Sequence, residues 1–225
     1  MNWICKTIRG LGIAVLGVLI VFAGCKRQEA LQQVTSEQPT ATERPQSRLL
    51  SLNEVQQGQR SFGIATKDKL FQSLLGALTK SIGENGVAAS IQVCQTKAPE
   101  LSDSVGKDAG IMIGRTSLQL RNPDNKPPIW AVEFVEQRVE EEVNVQLENE
   151  GLGILLPIRL MDACVKCHGD AKSLDEEVVN AIEKHYPADK ATGFATGDLR
   201  GYFWIEVPHP TDYQPGGIDG KENDK

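Results

Sequence analysis

The sequence predicts an α+β domain in which an antiparallel sheet is flanked by helices. Three observations lead there. Apolar residues recur every three or four positions in two stretches before residue 106, the spacing of a helix face. Between 152 and 160 they alternate strictly, the spacing of a strand. Helical and strand-like stretches do not alternate regularly, as a parallel sheet would require. The chain has 225 residues, 40% hydrophobic and 24% charged, which suits one sizeable core. A net charge of -6 argues against nucleic acid as a partner, because phosphate binding favours a basic surface. Five cysteines are too few for a disulfide scaffold, and an odd number cannot all pair within the chain.

The first 24 residues read as a signal peptide. Lys6 and Arg9 precede an uncharged, largely apolar run from Gly10 to Cys25. That run is shorter than the roughly 18 residues a spanning helix needs. It ends in Phe22-Ala23-Gly24-Cys25, which resembles a bacterial lipobox, with Phe22 where the pattern prefers Leu. Cys25 would be acylated and become the mature N-terminus, tethering the protein to a membrane outside the cytoplasm. The other reading is an uncleaved anchor helix. Loss of residues 1–24 removes two basic side chains and no acidic one, so the charge moves from -6 to -8. Lys26, where an Asp would resemble an inner-membrane retention signal, leans toward the outer membrane. Residues 25–48 and 208–225 are polar and poor in large apolar side chains, so they read as a disordered tether and tail around a domain at 49–207.

Within that domain, Phe71, Leu74, Leu75, Leu78 and Ile82 define a helix closed by Gly83. Val87, Ile91, Cys94, Ala98, Leu101 and Val105 define a second helix face, which Pro99 is expected to kink. Ile111, Ile113, Thr116, Leu118 and Leu120 suggest strands around Gly114-Arg115. Val132, Val135, Val139 and Val143 suggest a helix beginning after Pro127-Pro128, its outer face acidic from Glu133 to Glu142. The alternation from Leu152 to Leu160 gives a strand with one buried face. A last strand places Leu199, Phe203, Ile205 and Val207 on one side and Arg200, Tyr202, Trp204 and Glu206 on the other.

Cys164-Val165-Lys166-Cys167-His168 is C-x-x-C-H, the attachment signature of c-type haem. Two thiols three positions apart on a turn can each add to a vinyl group of one haem. The next residue then offers its imidazole to the iron. Export supports this reading, since bacteria mature such proteins outside the cytoplasm. One motif implies one haem. A redox disulfide, a zinc site completed by Cys94 and a His, and a structural disulfide are the alternatives. A thioredoxin-like pattern is not seen, and adjacent Cys167 and His168 would be awkward on one tetrahedral ion.

The sixth iron ligand is open at this level. Cys94 lies on the apolar stripe of its helix and points inward, but a buried cysteine is commonly just a small core residue. Met112, Met161, His185 and His209 compete. Met161 lies too close to Cys164 to reach the opposite haem face easily, and His209 lies in the tail, which leaves Met112 and His185.

Several further segments carry a resemblance that bears on this. They are Val93-Cys94-Gln95 with Ala98-Pro99, Gly114-Arg115-Thr116-Ser117, Arg121-Asn122-Pro123 with Asn125, and Pro157-Ile158. Cys164-Val165-Lys166-Cys167-His168-Gly169, Tyr186-Pro187, Asp189-Lys190-Ala191-Thr192-Gly193 and Gly197-Asp198-Leu199-Arg200-Gly201 follow. Together, across most of 60–207, they resemble a family of single-haem c-type proteins with a PAS-like fold, known from cyanobacteria and other bacteria. The resemblance implies one covalent haem c on Cys164 and Cys167, with iron held by His168 and Cys94. Arg115 and Arg121 are candidates to pair with the haem propionates, and Arg200 is a weaker one. A thiolate ligand favours ferric iron and a low potential, and its bond weakens on reduction. A redox or gas sensor acting through an unknown signalling partner is therefore expected, with a low-potential electron carrier as the alternative. An enzyme is not expected, since Cys94 would block the open position catalysis needs.

Overall fold

The computed structural model describes residues 51–211. The expected signal peptide, the expected acylation site Cys25, the expected tether and the expected tail beyond 211 lie outside the described residues. No helix among the described residues is long and apolar enough to cross a membrane.

A long helical element, α1 (Glu54–Ala109), opens the domain. Its N-terminus is closed by a capping box: the Asn53 side chain accepts from the Gln56 amide and the Gln56 side chain accepts from the Asn53 amide. Gly110, at φ 66, closes the other end in the left-handed conformation. Inside α1 only Gly86 leaves helical geometry, with φ 81 and ψ 173. The chain turns back there. The Ser90 hydroxyl donates to Ser81 Oγ at 2.9 Å, whereas nine residues of straight helix would separate them by about 13 Å. So α1 is a helical hairpin. Its break falls at Gly86 rather than Gly83, because only Gly86 takes the backbone region reserved for glycine. Pro99 does not interrupt the returning arm, whose dihedrals stay helical there.

The sheet has four antiparallel strands in the order β1-β4-β3-β2: β1 (Met112–Thr116), β2 (Val143–Gln146), β3 (Leu152–Arg159) and β4 (Leu199–Val207). The predicted fold class is the observed one. On one face Leu152, Ile154, Phe203, Ile205 and Val207 pack with Ile111, Ile113 and Leu70 of α1. Phe71, Leu101 and Val105, from both arms of the hairpin, extend this core. On the opposite face Leu155, Leu199 and Tyr202 pack with Val143 and with Ala131, Phe134 and Val135. These last three belong to a 3-10 turn (Ile129–Ala131) and the short α2 (Val132–Glu136). The first half of β3 is thus buried on both faces, not one.

Two further expectations change. The helix drawn from Val132 to Val143 ends early, because Arg138 takes a left-handed φ of 55. Val139 then lies in a loop, where its carbonyl accepts from the Tyr202 hydroxyl at 2.8 Å, and Val143 opens β2. Strand β1 stops at Thr116, because Ser117 turns the chain: its Oγ accepts from the Gln119 amide and donates to the Arg200 carbonyl.

The other two helices, α3 (Val165–His168) and α4 (Glu176–His185), follow β3. Val178, Ile182 and Tyr186 seal α4 against Ile91 on the returning arm of α1. The thiol motif lies between this small core and the sheet.

Candidate functional site

The hairpin of α1, the start of β4 and the C-x-x-C-H segment enclose a cavity of about 290 Å³, near the lower end of the range for ligand pockets. Its apolar wall is supplied by Phe71, Leu74, Leu78, Ile91 and Leu101 from both arms of α1. Cys94, Cys164, Cys167, His168, Arg115 and Arg121 all line it. Residues 70 positions apart in the chain are therefore brought to one space.

The motif is held by local backbone bonds. Cys164 caps α3, and its carbonyl accepts from the His168 amide at 3.0 Å. The Gly169 amide donates to the Val165 carbonyl at 2.8 Å. A Cβ on Gly169 would stand 2.5 Å from that same carbonyl oxygen, so only glycine lets the chain leave the motif this tightly. The loop at 191–194 latches on next: the Phe194 amide donates to the His168 carbonyl at 2.9 Å and the Gly193 amide to the Gly169 carbonyl at 2.8 Å.

That loop also sets the imidazole. His168 Nδ1 lies 2.7 Å from the Ala191 carbonyl oxygen, which can only accept, so Nδ1 carries the proton. Nε2 keeps its lone pair and has no hydrogen-bond partner among the described residues. Burial first, then the cations of Arg121 and Arg200, push the His168 pKa down to about 3. The ring is neutral, the state a metal ligand requires. Arg200 Nε approaches Nδ1 at 3.3 Å. With the proton on Nδ1 this is a close contact of a cation with the ring edge rather than a hydrogen bond.

Arg200 is the residue whose place alternation misjudged. The β3–β4 register shifts at Ile158 and Arg159: Ile158 pairs with Gly201 and Arg159 with Leu199. Arg200 is the extra residue of a bulge, and bulges redirect side chains. It turns into the cavity, its guanidinium 5.5 Å from the Phe194 ring centre and its Nη1 donating to the Gln119 carbonyl. The same shift carries Leu199 to the face of Tyr202.

The other two arginines differ. Arg121 is engaged with protein through Nε and Nη2: it forks onto Asp189 at 2.9 and 3.3 Å and donates to the Cys167 carbonyl at 2.6 Å and the Ala191 carbonyl at 3.3 Å. Arg115 forms no side-chain hydrogen bond or ion pair among the described residues. Burial lowers its pKa, and Cys94 and Tyr186 are the groups whose charge it would feel. Burial raises the thiols of Cys94 and Cys167. It also pushes the Tyr186 phenol up to about 12, and Cys94 adds to that.

All three described cysteines are free thiols. Among the described residues no three His, Cys, Asp or Glu side chains gather as ligands of one ion, so the zinc alternative finds no ligand set there. Of the competing sixth ligands, Cys94 and Met161 reach the cavity. Met112 is largely exposed on the edge strand, His185 Nδ1 is 3.1 Å from Gln95 Oε1, and His209 pairs with Glu150. Asp189 and the Ala191 carbonyl are site groups that neither side-chain periodicity nor motif spacing marks. Their only signal was the Asp189–Gly193 segment itself.

The fold and site define a class: an α+β domain whose four-stranded antiparallel sheet and helical hairpin enclose a C-x-x-C-H motif. The chain belongs to the Tll0287-like family, whose model matches residues 26–208. Among solved structures it is similar to the crystal structure of the cyanobacterial heme-protein Tll0287, at 22% identity and a TM-score of 0.51, over 70% of this chain and 97% of that one. Comparison with curated proteins finds no match.

Proposed function

We propose that this chain is an exported, lipid-anchored protein that carries one haem c and acts as a redox or gas sensor module. Cys164 and Cys167 would form the thioether links, with His168 and Cys94 as iron ligands and Cys25 as the acylated residue. The observation that carries the reading is the meeting of Cys94, from the returning arm of α1, with the C-x-x-C-H motif in one apolar-walled cavity.

The residues present fit the group. Both motif thiols are free, and the His168 proton is held away from Nε2 by the Ala191 carbonyl. The half-buried Arg115 has no anionic partner among the described residues, which suits a haem propionate. Arg121, already bound to Asp189, would reach a propionate only with its remaining Nη1. Met161 shares the cavity but sits one turn before the motif, its carbonyl accepting from the Cys164 amide, so Cys94 would be the better second ligand. Bound there, the haem would supply a one-electron couple and an iron able to bind small gases.

The thiolate of Cys94 would favour ferric iron and release more readily from ferrous iron. Such an exchange suits a sensor acting through a separate redox or signalling protein, and it slows a carrier. If Cys94 and His168 both held the iron, a substrate would find no open position while Cys94 stayed bound, so the reading is a sensor rather than an enzyme. The membrane would be reached through the lipid on Cys25, with an outer membrane favoured by Lys26 and the cell surface in an organism with one membrane.

The test is an absorption spectrum of the full chain matured in a host that makes c-type cytochromes. Oxidised wild type is expected to show thiolate-type bands that Cys94→Ser abolishes, and reduced wild type to bind CO rapidly. A spectrum unchanged by Cys94→Ser removes Cys94 from the iron. Six-coordination that persists on reduction and excludes CO makes the protein a low-potential carrier. A mature chain without Soret absorption ends the haem reading.

A further inference from the structure

We propose that Arg121 and Asp189 together set how strongly His168 donates to iron, and thereby set the reduction potential; the inference rests on the haem reading above. The pair is nearly sealed, with side chains 11% and 9% exposed. It meets His168 at one atom, the carbonyl oxygen of Ala191. That oxygen accepts from His168 Nδ1 at 2.7 Å and from Arg121 Nη2 at 3.3 Å. Asp189 Oδ1 accepts in turn from Arg121 Nε at 2.9 Å and from the Ala191 amide at 3.1 Å. Arg121 also holds the Cys167 carbonyl, the residue before His168, at 2.6 Å.

The physical consequence is a pair of opposed effects. The more fully the Ala191 oxygen draws on the Nδ1 proton, the more basic the ring becomes, and the lower the potential of the iron it binds. Arg121 blunts that pull by sharing the oxygen, and its charge disfavours the ferric state directly. Asp189 cancels much of that charge while keeping the 191 peptide in place. In a poorly solvated site these terms are weakly screened. Removing the Arg121 charge therefore lowers the potential. Neutralising Asp189 leaves an uncompensated cation and raises it. A pair that served only to brace the loop would behave otherwise: breaking one ion pair from either side would move the potential the same way, or not at all.

The experiment is a spectroelectrochemical titration of the haem-loaded full chain in wild type, Arg121→Gln, Arg121→Lys and Asp189→Asn, with the attached haem confirmed by intact mass. Arg121→Gln is expected below wild type, Asp189→Asn above it, and Arg121→Lys, which keeps the charge, close to wild type. Shifts of one sign in Arg121→Gln and Asp189→Asn, or no shift in either, overturn the proposal. If Asp189→Asn yields no folded protein, equal potentials for Arg121→Gln and Arg121→Lys overturn it instead. A wild type whose mass shows no thioether-bound haem overturns the haem reading and this inference with it, whereas a loaded wild type with unmoved variants overturns this inference alone.

Discussion

At the scale of single residues, the site depends on atoms that carry no chemistry of their own. The Ala191 carbonyl decides which nitrogen of His168 bears the proton, a backbone role that makes no use of the Ala191 side chain. Gly169 is the opposite case, since its identity matters: beside its backbone bonds, it is the lack of a side chain that lets the turn close. Gly169→Ala would set a methyl against the Val165 carbonyl oxygen, which belongs to the motif's own turn. The turn must open, at a cost of about 1–3 kcal/mol. We expect a lower thermal midpoint and, because the turn aims His168, an altered ferric spectrum. A variant with wild-type melting and spectrum would show that the turn has slack.

At the scale of elements, Gly86 governs the cavity. Its φ of 81 and ψ of 173 let α1 double back, so that Phe71 and Leu74 on one arm face the same space as Cys94 and Ala98 on the other. A side chain at 86 meets no neighbour within 4 Å, so space is not the issue there. The backbone conformation is, and for a residue with a Cβ it costs about 1–3 kcal/mol. Gly86→Ala should lower the urea midpoint by a matching amount without changing the slope, and unchanged unfolding would remove the hairpin strain argument. The two helical stripes were legible in the sequence because each arm buries one face. The site of the turn was not, since Gly83 and Gly86 look alike until the dihedral distinguishes them. Strand β4 shows the same limit, because alternation assumes an unbroken register, and the bulge puts Arg200 and Leu199 on the sides opposite to those alternation assigns.

At the scale of the whole molecule, the outgoing arm of α1 is tied to the far edge of the sheet by Arg60 and Glu142. Arg60 Nη2 donates to Glu142 Oε2 at 2.6 Å, and Asn144 Nδ2 donates to Glu142 Oε1 at 2.8 Å. The Arg60 bond is the main reason the Glu142 carboxyl is held below the usual carboxylate range; burial opposes it and Asn144 adds to it. A lowered carboxyl pKa stabilises the fold above the range in which the unfolded chain titrates, and the gain is lost as pH falls through the folded value. Arg60 is 38% exposed, so water screens the pair and its worth is no more than about 1 kcal/mol. Glu142→Gln should therefore be less stable than wild type in urea at pH 7, and the gap should close as the solution is acidified below the carboxylate range. A gap that stays constant with pH would assign the loss to packing instead.

Local spacing alone carries the α+β class, the two helical stripes, the alternation of β3 and the C-x-x-C-H motif. Each of these is written in local spacing, which side-chain periodicity and a four-residue turn make readable. Which distant residues share the cavity is settled by the packing of the folded chain. It brought Cys94 and Arg115 to the motif, locked Arg121 onto Asp189, turned Arg200 inward through a bulge, and kept Met112, His185 and His209 away. Those outcomes depend on where a hairpin turns and where a register slips, and both are settled by packing between segments rather than within them.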